Sequence, residues 1–273
     1  MKKAILVVSF GTSYLDALKN SIEKIENYIG HTFKEYRIQR AFTSNMIIKS
    51  IKKKHNIDIL TPEEALLKLK SEGVEDVIVQ PLHIIPGEEF QYVKNVVDKY
   101  LNSFKSIKIG RPIFYFQGIE ELPQDYTLFI ESVKHLFNDV ESTVLFGHGS
   151  ANPSNSCYGC LQAVLQDEGY DNVFVGTVEG YPNFNNVLKT LKRKNIKKVK
   201  LVPLMVVAGD HAKNDMASEE EDSWKSMLES EGIKVKVHLS GLGELDSFNE
   251  LYINRINDVI KHRYIGAGNT KKR

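Results

Sequence analysis

The chain has 273 residues, enough for two compact α/β units with separate cores, and its 42% hydrophobic and 26% charged residues match an ordinary globular protein. Its 36 basic and 35 acidic side chains leave a formal net charge of +1, without the strongly basic face that nucleic-acid binding requires. No apolar run approaches the roughly 18 residues of a membrane span, and two cysteines, Cys157 and Cys160, are too few for a disulfide framework.

Met1-Lys2-Lys3 followed by an apolar stretch superficially resembles a signal peptide. That stretch runs into Gly11-Thr12-Ser13 with no small-residue cleavage site, so residues 4–10 read as a first buried strand and the protein as cytoplasmic. Leu15, Leu18, Ile22, Ile25 and Ile29 recur at helical spacing. Residues 35–42 read as strand and 45–54 as helix. Thr61-Pro62-Glu63-Glu64 opens the next helix with a capping hydroxyl, a proline in the first turn and acids at the positive dipole end. Strand 74–81, helix 90–103, strand 107–109 and helix 125–137 complete the first half. The order then returns: strand 143–146, helix 154–166, strand 172–177, helix 184–194, strand 198–207, helix 214–229, strand 235–239 and helix 248–262.

Strands alternating with helices imply βαβ crossovers and parallel sheets. The expected fold class is therefore α/β: two similar domains, residues 1–138 and 139–273, each a parallel sheet flanked by helices, with the boundary near 138–142. The register of the last helix does not settle which domain it joins. Lys271-Lys272-Arg273, after Gly266-Ala267-Gly268, reads as a solvated tail.

An internal repeat supports the pairing of halves. Pro81-Leu82-His83-Ile84-Ile85-Pro86-Gly87-Glu88-Glu89 and Pro203-Leu204-Met205-Val206-Val207-Ala208-Gly209-Asp210-His211 align at a constant offset of 122 residues. At the last position one copy carries Glu89 and the other His211, a carboxylate against an imidazole.

Ligands of open parallel sheets bind outside the carboxyl ends of the strands. Five polar positions fall there: the stretch from Ser9 to Ser13, the Gly147-His148-Gly149-Ser150 turn, Glu89, Glu179 and His211. The second half alone offers His148, Glu179 and His211 from three strand ends. Two imidazoles and a carboxylate hold a divalent first-row metal and leave positions open for exchange. Imidazole also takes a proton near neutral pH. The glycines flanking His148 would let the backbone approach a flat ligand. Ser13 and Ser150 read as helix caps. His83 reads as a packing residue inside its strand, while His31, His55, His135, His238 and His262 have no convergent partner. The Cys157/Cys160 pair has CxxC spacing, which suits a redox pair or half of a zinc site; no second CxxC completes such a site, small packing residues are the default reading, and the role stays open. There is no GxxxxGK[ST] loop, GxGxxG or HExxH, and the Gly-His-Gly-Ser turn does not match the GxSxG of a serine hydrolase.

Ser9-Phe10-Gly11-Thr12-Ser13, Gly147-His148-Gly149-Ser150, Thr177-Val178-Glu179-Gly180-Tyr181-Pro182 and the stretch from Pro203 to His211 resemble the CbiK-type anaerobic cobaltochelatases, class II chelatases related to ferrochelatase. The resemblance runs from the first strand to about His262. It implies ATP-independent insertion of Co²⁺ into sirohydrochlorin, or precorrin-2, during anaerobic cobalamin synthesis, with no nucleotide cofactor. On matching positions it implies that His148, Glu179 and His211 bind the Co²⁺ and that His148 also removes pyrrole protons. It further implies that Glu89, from the first domain, lines the macrocycle cleft and assists metal handling or proton transfer. The flat ring is then expected between the two domains. Alternatives are a chelatase for Fe²⁺ or Ni²⁺, and a non-catalytic protein that binds a tetrapyrrole or a metal. Oligomeric state stays open, a homo-oligomer included.

Overall fold

The computed structural model describes residues 2–137 and 141–264, so most of the expected boundary region and the basic tail lie outside the described residues. The apolar run that opens the chain becomes β1, Lys3–Ser9, buried from Ala4 onward. A strand with no exposed face must be central, and β1 pairs in parallel with β2 (Arg37–Phe42) on one side and β3 (Asp76–Pro81) on the other. With β4 (Ser106–Ile109) the sheet order is β2-β1-β3-β4. The second sheet repeats it with β5 (Ser142–Gly147), β6 (Val173–Thr177), β7 (Lys198–Pro203) and β8 (Lys234–Val237), in the order β6-β5-β7-β8. All pairings between these strands are parallel.

The sequence repeat is reproduced in the ladders. Pro81 stands opposite Val8 and Pro203 opposite Phe146. The next amide donates across in both sheets, Leu82 N to Val8 O and Leu204 N to Phe146 O, each at 2.7 Å.

The chain forms two compact units, each discontinuous in sequence. One takes its described residues from Met1–Gly11, Glu26–Leu128 and Glu250–Arg273, the other from Thr12–Ile25 and Phe129–Asn249. In the first, Leu6, Val8, Val77 and Val79 pack against Leu66 and Leu69 of helix Pro62–Ser71 and Val93, Val96 and Val97 of helix Glu88–Lys99. Thr61 caps this helix as expected, and Glu64 returns the bond to complete a reciprocal capping box. Beyond Glu250 the last helix, Asp246–Ile260, belongs to this unit. Its Arg255, almost fully buried, donates to Pro112 O at 3.0 Å and Ile113 O at 2.7 Å. Asp125, also buried, accepts from Arg111, whose guanidinium reaches Asp258 as well. Burial lowers Arg255 to about 10, a range in which it is still charged at neutral pH. In the second unit, Val144, Phe146 and Leu201 pack on Trp224 and Leu228 of helix Trp224–Ser230, the Phe146 and Trp224 rings meeting edge-on at 5.0 Å.

Several elements differ from their sequence pattern. The first helix is interrupted by a π segment, Leu18–Glu23, between Leu15–Ala17 and Lys24–Thr32. The strand expected over 198–207 ends at Pro203, because Met205 O and Val206 O accept from Leu242 N and Gly243 N rather than from a strand. The helix expected over 214–229 is two pieces, a π turn Ala212–Met216 and helix Trp224–Ser230, capped separately by Ser223. His83 follows β3 instead of lying within it, and both of its ring nitrogens are closed off from solvent without a hydrogen-bond partner.

Candidate metal centre

His148, Glu179 and His211 each offer a ligand atom within 4.8 Å of the others, and they are the one such group of three or more among the described residues. Two ligands on opposite sides of one ion at about 2.1 Å stand roughly 4.2 Å apart, so the trio lies within small side-chain movements of a shared ion. The imidazole rings stand perpendicular, centroids 4.5 Å apart, and His148 Nδ1 is 3.9 Å from Glu179 Oε2. His148 and Glu179 are exposed and His211 half-buried, so the group is open to an incoming ion.

Each residue is placed by a strand end. His148 directly follows β5, with its Nδ1 3.0 Å from Gly149 O, which leaves Nε2 free. Glu179 follows β6, and the β5–β6 pairing continues into the loops through Val178 N to Gly147 O at 3.1 Å and Glu179 N to His148 O at 2.8 Å. Those two bonds fix the carboxylate loop beside the imidazole loop. His211 precedes the π turn Ala212–Met216, and its Nδ1 lies 2.6 Å from Asp215 Oδ2, one turn further on. With Nδ1 held against that carboxylate, the ring orientation is fixed and Nε2 is left to present its lone pair to an ion. Single-turn π segments recur at functional sites.

The two glycines around His148 are required by packing within the unit itself. A Cβ on Gly147 would sit 2.6 Å from the Tyr158 ring, and one on Gly149 2.6 Å from Gly180 N, with φ at Gly149 already +87°. They let Tyr158 and the Glu179 loop pack onto the His148 turn. Tyr158, buried and pushed up to about 12 by that burial, keeps its proton, while its oxygen accepts from Gly149 N at 3.4 Å.

Asn155 closes the arrangement. Its Oδ1 accepts from Ser150 N at 3.0 Å and its Nδ2 donates to Tyr181 O at 2.7 Å, so one amide holds both loops. Ser150 does not cap a helix; its Oγ accepts from Asn152 N, and Asn152 caps the short 3₁₀ turn Pro153–Asn155. Ser13 does not cap the first helix either: the N-cap is Tyr14, with no side-chain cap bond, and Thr12 Oγ1 accepts from Tyr14 N. The Tyr14 hydroxyl donates to Asp210 Oδ1 at 3.0 Å, and Lys213 Nζ lies 4.1 Å over the Tyr14 ring, which ties this segment to the turn carrying His211.

Sequence reasoning passed over Asp215, Asn155 and Tyr158. Only Asp215 carried a signal, its spacing of four residues after His211 on a helical turn. Glu89 lies in the first turn of helix Glu88–Lys99, in the unit that does not contain the trio. Cys157, buried, and Cys160, half-buried, lie on helix Ser156–Asp167 and are not joined in a disulfide. No helix among the described residues is long and apolar enough to cross a membrane.

Known proteins share this arrangement of chain. The family model described as cobalt chelatase (CbiK) matches residues 3–261. A sirohydrochlorin cobaltochelatase of Salmonella typhimurium is 35% identical over 263 residues, covering 95% of this chain and 97% of that protein. The sirohydrochlorin cobaltochelatase CbiKC of Nitratidesulfovibrio vulgaris is 27% identical, covering 95% and 91%. Among solved structures, the sirohydrochlorin chelatase SirB of Bacillus subtilis subspecies spizizenii in complex with cobalt superposes with a TM-score of 0.64 at 18% identity, covering 96% of this chain and 97% of that one. The α/β class with two helix-flanked parallel sheets is therefore a chelatase fold.

Proposed function

The chain belongs to the CbiK family of cobalt chelatases, and on that premise we propose that it inserts Co²⁺ into sirohydrochlorin in anaerobic cobalamin synthesis, with His148, Glu179 and His211 as the residues that deliver the ion. The observation that carries the residue assignment is the convergence of two imidazoles and a carboxylate within 4.8 Å in the second unit. Co²⁺ is here a substrate that must be released, and an exposed site of three protein ligands leaves coordination positions for ring nitrogens.

The chemical obstacle is the ring. Inner pyrrole N–H groups lie in the ring plane, where an incoming cation cannot meet the nitrogen lone pairs together. Binding energy from the ring periphery can hold the macrocycle bent and tilt those groups outward. As the ion passes to the ring, the released Nε2 of His148, the nitrogen not engaged with Gly149 O, accepts one pyrrole proton, the role we assign to it, and the second proton displaced by the divalent ion passes to solvent. Protein–metal bonds are exchanged for metal–nitrogen bonds to the ring. Four ring nitrogens replacing three protein ligands supply the driving force, so insertion needs no ATP. Glu89, a first-turn residue of its helix, is assigned assistance in metal handling or proton transfer, and the site of action is the cytoplasm, where the biosynthetic substrates are made.

The test is anaerobic incubation of catalytic amounts of protein with metal-free sirohydrochlorin and Co²⁺, following the absorbance change of metallation. Many turnovers per protein are expected. A change that stops at one equivalent would make the chain a binder, not a chelatase. Repeating it with Fe²⁺ and Ni²⁺ measures selectivity, since the Irving–Williams order ranks Ni²⁺ above Co²⁺ at most N/O sites.

A further inference from the structure

Beside the metal-binding trio, the second unit holds one large aromatic side chain out in water. Tyr181 is 66% exposed, only two residues after Glu179. Single exposed aromatics are common on protein surfaces and need no explanation when their backbone is free. Here it is not free. Tyr181 O is held by Asn155 Nδ2 at 2.7 Å, and the next carbonyl, Pro182 O, accepts from Thr177 N at 2.7 Å and from Thr177 Oγ1 at 3.0 Å. On the other side, Gly180 packs so closely on Asn155 Oδ1 and Ser150 N that no side chain fits there. Every neighbour of Tyr181 in the chain is thus tied to the His148 turn or to β6, while its own ring contributes nothing to the core.

We propose that Tyr181 is a binding residue for the conjugated macrocycle, its ring lying against the flat face of the tetrapyrrole, and that Asn155 is the positioning residue that holds it there. The proposal rests on the chelatase reading and adds to it the contact that captures the organic substrate. A flat π system meeting an aromatic side chain gains dispersion and quadrupole attraction, and stacking of this kind tolerates variation at the ring edge. A tyrosine has few rotatable bonds, and on an already ordered loop little entropy is lost when the ligand arrives. Asn155 acts at one remove. One amide bridges Ser150 N of the imidazole loop and Tyr181 O of the carboxylate loop, so the same contact sets the spacing between metal centre and aromatic surface.

The experiment uses the full chain. Metal-free sirohydrochlorin is titrated with wild type, Tyr181→Ala, Tyr181→Phe and Asn155→Ala under anaerobic conditions, following quenching of its fluorescence. Co²⁺ affinity of each variant is measured separately by competition with a chromophoric chelator. Tyr181→Ala is expected to weaken sirohydrochlorin binding about tenfold and to raise KM by a similar factor, with Co²⁺ affinity unmoved. Tyr181→Phe keeps the ring and recovers most of the lost affinity. Asn155→Ala is expected to weaken tetrapyrrole binding as well, and because it also releases Ser150, to lower kcat. Unaltered sirohydrochlorin affinity in Tyr181→Ala overturns the proposal. So does an equal loss for Co²⁺ and tetrapyrrole, which would mark a general disturbance of the loop. If wild type itself neither binds nor metallates sirohydrochlorin, the chelatase reading fails and takes this one with it; if wild type turns over and Tyr181→Ala matches it, only the stacking role is lost.

Discussion

Asp215 gives His211 a defined orientation and a defined free nitrogen. The Nδ1–Oδ2 separation of 2.6 Å is that of a charge-assisted hydrogen bond, whereas His148 leans on a neutral carbonyl at 3.0 Å. The two imidazoles are therefore held differently, His211 by a carboxylate and His148 by a neutral carbonyl. Carboxylates that hold a ligating histidine are worth about 10- to 100-fold in metal affinity or activity. Asp215→Ala should lower Co²⁺ affinity and insertion rate by about that factor, with Asp215→Asn between it and wild type, as measured by metal titration and steady-state turnover. His148→Ala and His211→Ala should each remove most turnover with the melting temperature retained, because neither ring is part of the core. Near-normal insertion by both histidine variants would show that the ion is delivered elsewhere.

At the scale of single elements, glycine positions separate packing from approach. Gly149 adopts φ +87° with Gly180 N only 2.6 Å from where a Cβ would stand, while Gly159, inside helix Ser156–Asp167, faces open space. Gly149→Ala should displace the Glu179 loop and cut Co²⁺ insertion at least tenfold, a loss larger than its effect on melting would explain. Gly159→Ala should instead raise stability by roughly 0.5–1 kcal/mol, since alanine is the better helix former there, and keep the insertion rate. Equal behaviour of the two variants would mean that the Gly149 contact does not position the site. Strands and their ends are what the sequence displays at this scale. The uninterrupted apolar run of β1 and the alternation with helices locate the points from which His148, Glu179 and His211 project. Contacts without a period stay hidden. Nothing in the residue order tells Asn155 that it will bridge two loops, or shows that Val206 O will be claimed by Gly243 and end β7 early. The one legible exception is Asp215, because the i, i+4 spacing of a helical turn is itself a pattern.

For the whole molecule, the repeat was the most legible feature, because Pro81 and Pro203 occupy the same ladder position in two sheets of the same strand order. The grouping of Thr12–Ile25 with one unit and of the chain beyond Glu250 with the other left no local mark, since an amphipathic helix presents the same apolar stripe to whichever sheet receives it. The two copies also diverged just past their strand ends. Where the second carries Met205, the first carries His83, whose ring nitrogens are buried without partners and whose pKa burial lowers to about 4. Folding must keep that imidazole neutral, whereas the unfolded chain can protonate it at the reference value of roughly 6.5. The unfolded state therefore binds more protons between pH 6.5 and 4, and stability falls as pH drops through that window. From the two values, the loss between pH 7.5 and 5 is about 2 kcal/mol. Carboxylates act with the same sign at lower pH, but the contacts that lower Asp16 (the Ala17 amide first, then Lys213) and Glu75 (Lys2) are exposed and screened, so their share is small. Denaturant unfolding at the two pH values should show this drop in wild type and a much shallower one in His83→Phe, which keeps an aromatic ring and removes the proton site. Parallel pH profiles for the two proteins would place the acid sensitivity of the fold in another group.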